Sequence, residues 1–101
     1  GFAQADADMG ARALGEARVE ADRMVLATHA ALKADGDLLD DAERRAIEQL
    51  MDEVAAVAAS ADHHAIDAAV HSLAHGTEAF AAARMNRGIR AALAGRNVEE
   101  I

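Results

Sequence analysis

A chain of 101 residues with a formal net charge of −8 is one domain's worth of polypeptide, and its acidity argues against a nucleic-acid partner, because neutralising phosphates takes clustered Lys and Arg. The apolar fraction is 52%, yet only two residues are aromatic and Pro, Cys, Trp and Tyr are absent, so alanine dominates and closely packed helices are expected rather than strands. The lack of cysteine excludes disulfides and thiol chemistry and fits a cytoplasmic setting; with no apolar run of bilayer length and no basic-then-apolar leader, neither a membrane span nor a signal peptide is expected.

Gly1 to Asp35 holds no proline and runs into the turn signal Asp35-Gly36-Asp37, which predicts one long helix. Leu14, Ala21, Val25, Thr28 and Leu32 recur at helical spacing along one face. Gly10 and Gly15 each weaken this helix by about 1 kcal/mol relative to alanine and divide it in two. Arg12/Glu16, Arg18/Asp22 and Glu20/Arg23 lie three or four apart and read as a solvated face.

Asp40 followed three residues later by Glu43 is a capping-box variant opening a second helix, expected over Asp41 to Ala59 with a buried stripe of Ile47, Leu50, Met51, Val54, Val57 and Ala58. Asp62 is the expected N-cap of a third run reaching Ala94, with Gly95 as its stop. Its predicted inner face is Ile66, Val70, Leu73, Thr77, Phe80, Met85, Ile89, Ala92 and Leu93, and Gly76-Thr77 either bends it or splits it. Arg84, Arg87 and Arg90 sit near the end of that run, where the helix dipole favours positive charge.

Short connections make successive helices antiparallel neighbours. At 1.5 Å per residue the first run is about 50 Å long and the second roughly 28 Å, so Ala59 descends to the level of about Glu16. Residues 1 to 15 are left without a partner, although Phe2, Ala5, Met9 and Ala13 share an apolar stripe. A missing surface, from another domain or another copy, is implied.

Asp67, His71 and His75 are spaced one turn apart on one face, a geometry that can chelate zinc or nickel. A built metal site draws ligands from more than one element and no second cluster is apparent, so a polar helix face is the preferred reading and no metal is expected. Asp62-His63-His64 lacks the companion motifs of a phosphoesterase, and there is no Glu-x-x-His pair, phosphate loop or nucleophile elbow. Neither catalytic nor cofactor-binding residues are expected in this chain.

Two stretches, Ala11–Ala21 continuing to Leu38–Ile47 and Phe80–Ile101, resemble the C-terminal helical lid of heat-shock seventy-kilodalton-type chaperones, in the branch specialised for iron–sulfur cluster biogenesis. The most specific part is the ending, an Ala-rich helix around Arg84-Met85, then Gly95 and a short acidic-apolar terminus. The resemblance implies an all-α antiparallel bundle of three to four helices with an overhanging first helix: a strut over residues 1–15, a bundle over 16–94 and a tail over 95–101. It further implies that an ATPase domain, with ATP as cofactor, and a peptide-binding β-sandwich lie upstream, the lid closing over the sandwich with ADP and opening with ATP. The implied client is the cluster scaffold protein, delivered by a J-type co-chaperone. By the same resemblance Asp22 stands where the general-purpose chaperone has an acidic residue latching lid to sandwich, with His29 in place of its companion arginine. Phe2, Ala5, Met9, Ala13 and Asp22 are therefore the expected contacts to the sandwich. Two rival readings remain at this level: a free-standing adaptor that self-associates through the same stripe, and a histidine metal-binding helical protein.

Overall fold

The structure, a computed structural model, describes the backbone of residues 2–100 and the side chains of residues 9–95. Helix α1 spans Phe2–Asp35, a 3-10 turn Gly36–Leu38, α2 Asp41–Ala58, α3 His63–Gly76 and α4 Glu78–Glu100. It is an all-α bundle, with no strand among the described residues. Helices α1, α2 and α3 pack on one another, whereas α4 meets chiefly the end of α3 and the 3-10 turn. No helix among the described residues is long and apolar enough to cross a membrane.

Local chemistry sets the helix ends. The Asp40 carboxylate accepts from the Glu43 backbone N–H at 2.7 Å, and the Glu43 carboxylate accepts from the Asp40 N–H at 3.0 Å, closing the capping box at the start of α2. Asp62 accepts from the N–H groups of His64 and Ala65 at 3.0 and 3.2 Å and so caps α3. The third run divides at Thr77, whose φ of −105° and ψ of 3° interrupt the α-helix. Its hydroxyl lies within donating reach of the Leu73 and Ala74 carbonyls, at 2.9 and 3.1 Å, satisfying the end of α3.

The core is small and alanine-lined. Val54, Ile66 and Leu73 are fully enclosed, and around them lie Ala17, Ala21, Ala31, Leu32, Ile47, Met51 and Phe80. Short side chains on α1 let its backbone approach α2 and α3 closely. Leu14 and Val25 pack against this core half-buried. Thr28, the one buried polar side chain among the described residues, donates its hydroxyl to the Met24 carbonyl at 2.7 Å, so its burial leaves no unmade hydrogen bond. Gly76 lets the end of α3 sit against α2, since a Cβ there would run into the Leu50 Cδ1 methyl.

Three expectations are corrected. Gly95 does not stop the last helix: α4 continues to Glu100, and among the described residues no glycine adopts positive φ, the left-handed conformation that a glycine C-cap needs. Met85, Ile89, Ala92 and Leu93 do not face the bundle; all four are exposed. At about 100° per residue they lie roughly opposite buried Phe80 on the α4 surface, and α1, which could have covered them, has already ended at Asp35. Arg84, Arg87 and Arg90 consequently sit in the middle of α4 rather than at its end, so the dipole does not account for them.

Candidate functional site

The first candidate surface follows from unequal helix lengths. Helix α1 has 34 residues and α2 has 18. Arg18 fixes their alignment: its Nε donates to the Ala58 carbonyl at 3.1 Å and its Nη2 to the Ser60 carbonyl at 2.8 Å. A side chain of α1 thereby satisfies carbonyls at the C-terminal end of α2, where a cation also complements the dipole. Arg18 is thus drawn away from the solvated pairing with Asp22; of the three pairs expected on α1, Glu20–Arg23 forms, at 2.9 Å.

Below Arg18 the α1 helix outruns α2. Met9 is 68% exposed and Ala13 half-buried; Phe2 and Ala5 lie outside the residues whose side chains are described. Asp22 is exposed and borders an apolar groove of about 240 Å³ formed with Ala21, Val25, Leu26, Val54 and Ala58. His29, seven residues on, borders a second groove of about 350 Å³ with Lys33, Arg44, Glu48 and Asp52. Both lie on the edge of α1 that faces α2, about 10 Å apart along the helix.

The histidine face does not assemble a ligand set. Asp67, His71 and His75 are all exposed. Asp67 approaches His63 Nδ1 at 3.9 Å and His75 Nδ1 approaches Glu78 at 3.5 Å. Among the described residues no group of three or more potential ligands is close enough to hold a metal ion.

A second feature escapes sequence reasoning. Arg84 Nε donates to Asp35 at 2.8 Å, while Arg87 Nη1 donates to Asp35 at 3.0 Å and to Asp37 at 2.8 Å, with a further Nη2 contact to Asp37. The two arginines of α4 grip the carboxylates of Asp35 at the end of α1 and Asp37 in the 3-10 turn and hold them below the usual carboxylate range. One local signal existed: Asp35 ends α1 where the helix dipole repels negative charge, so a compensating cation was to be sought.

No family model matches the chain. Curated relatives do. Chaperone protein HscA homologues are 65% identical in Methylibium petroleiphilum over 101 residues, 58% identical in Cupriavidus necator over 100, and 59% identical in Paracidovorax citrulli over 101. Each alignment covers 99–100% of this chain and 16% of the relative. Over its full length the chain matches the C-terminal segment of HscA-type chaperones. The chain therefore spans about one-sixth of the length of the curated relatives it matches, at their C-terminal end. Its four-helix architecture with a long first helix is that of the lid subdomain the resemblance implied.

Proposed function

We propose that this HscA-type segment is the lid of the peptide-binding domain of an ATP-dependent chaperone of iron–sulfur cluster assembly, and that it gates peptide release. The observation that carries the reading is the overhang of α1: a helix exceeding its partner α2 by almost half its length, with Met9 exposed on the part that no described residue covers. Residues 1–15 serve as the strut toward a β-sandwich upstream, residues 16–94 as the helical bundle of the gate, and residues 95–101 as a short C-terminal tail. Phe2, Ala5, Met9, Ala13 and Asp22 form the contact.

The segment does no chemistry on this reading. ATP and its hydrolysis belong to an upstream domain, through which a J-type co-chaperone also acts, and the client is an iron–sulfur scaffold protein in the cytoplasm. The gate works by differential contact: its effect on peptide lifetime cannot exceed the difference in contact free energy between the ADP and ATP states. The test is release of a fluorescent client peptide from the full-length protein in the ADP state. Losing about 1–2 kcal/mol of apolar contact in Met9→Asp should accelerate release roughly five- to thirty-fold. An unchanged release rate overturns the strut-contact reading.

A further inference from the structure

Among the described residues, α4 is joined to the bundle at two places. Phe80, in the first turn, is buried in the angle formed with Thr28, Ala31 and Ile47. One and two turns later, Arg84 and Arg87 grip Asp35 and Asp37. Beyond Arg87 every described side chain of α4 is exposed. At its start, α4 is set off from α3 by the non-helical Thr77, whose N–H donates to the Leu73 carbonyl and whose carbonyl accepts from the Ala81 N–H, so the two helices meet at a one-residue interruption rather than as one uninterrupted α-helix.

We propose that the Arg84–Asp35 and Arg87–Asp35/Asp37 pairs form an ionic latch that sets the angle of α4, and that α4 swings as an arm about Thr77 when ion pairing is weakened. Apolar burial does little to set that angle past Phe80: the one apolar side chain there that is even half-buried, among the described residues, is Ala83 beside Leu38, and Met85, Ile89 and Leu93 project roughly opposite the bundle. What remains is charge. The Asp35 side chain is 19% exposed and Arg84 and Arg87 are 40% and 42% exposed, so water reaches the cluster and its pairs are individually weak and open to screening. The Arg84 guanidinium also lies over the Phe80 ring, 5.9 Å from its centroid, tying the latch to the pivot.

Ionic strength, or a charged competitor, is the trigger rather than neutral-range pH. The cations at the cluster are Arg84 and Arg87 of α4; Arg44 of α2, which packs over Gly36, and Lys33 in the last turn of α1 are nearby on the other elements. Arginine and lysine side chains as a class keep their charge through neutrality. The inference stands on the latch geometry and is independent of the lid reading.

The chain has no cysteine, so spin labels placed by Gln49→Cys and Ala94→Cys, at exposed positions of α2 and α4, report the arm directly. Thr77 to Ala94 spans about 25 Å, so a tilt of about 20° moves the label by roughly 9 Å. At low salt the parent should give one narrow distance distribution. Raising salt to about 1 M, where the screening length falls to about 3 Å, should broaden it and shift its mean by that order while far-UV circular dichroism stays constant. Arg87→Gln should give the broad distribution already at low salt, and Arg90→Gln, outside the latch, should not. An unchanged parent distribution in high salt overturns the proposal, as does equal broadening by Arg90→Gln. The salt series needs no variant beyond the label sites, so it decides even if Arg87→Gln folds poorly.

Discussion

Leu73 and Leu93 are the same residue type on two consecutive helices, one with no exposed surface and the other 51% exposed. Leu73 lies where α1, α2 and α3 converge, enclosed alongside Val54 and Ile66. Truncation there removes transfer free energy and leaves a cavity whose rigid helical walls collapse only in part. Leu73→Ala should therefore cost about 2–5 kcal/mol. Leu93→Ala, which removes the same atoms from a position the bundle does not cover, should stay within about 0.5 kcal/mol. Urea denaturation checks both through the midpoint at unchanged m-value. A Leu93→Ala midpoint as low as that of Leu73→Ala would mean that α4 is packed in solution and that its outer stripe is covered.

At the level of helices, features set by near neighbours were legible and features set across the fold were not. The Asp40–Glu43 box and the Asp62 cap depend on partners two or three residues away, so the sequence carries the whole of their geometry. The α1 and α2 stripes were legible because each helix has one apolar face. Helix α4 has two usable faces, and periodicity groups Met85, Ile89 and Leu93 without saying which way the group points. Its orientation is decided by Arg84 and Arg87 meeting carboxylates 49 to 52 residues away, a pairing no local pattern encodes. The break at Thr77 is one of the two outcomes that a Gly-Thr step permits, a bend or an end. The latch also predicts how α4 responds to acid. Asp35 and Asp37 have folded pKa values lowered by hydrogen bonds from Arg84 and Arg87, and from Arg87 respectively. Their contribution is thus complete above the ordinary carboxylate value and is lost as pH falls through the depressed one. The angle of α4, read by the same label pair, should be constant from about pH 8 to 5 and change only below about pH 4. A transition centred near pH 6 would point to histidine instead and contradict these pairs as the controlling groups.

For the molecule as a whole, length decides more than composition. The principal extents are 71 × 31 × 17 Å, a thin body far longer than its core, because α1 overshoots the bundle at one end and α4 leaves it at the other. The first overshoot was legible by comparing helix lengths, and Arg18 on the Ala58 and Ser60 carbonyls fixes the alignment close to where that comparison put it. The second was not, because Gly95 read as a stop when a glycine in an alanine-rich helix merely weakens it by about 1 kcal/mol. The overshoot of α1 has a direct consequence for stability. Among the described residues the first buried one is Ala17, preceded by half-buried Leu14, and Met9 is 68% exposed. Deleting residues 1–12 should therefore leave the cooperative unit intact. With a change within about 0.5 kcal/mol, the thermal midpoint should move by no more than about 2–4 °C, while helical ellipticity falls in proportion to the residues removed. A drop of about ten degrees or more would show that the overhang packs on the bundle, and the strut would lose its physical basis.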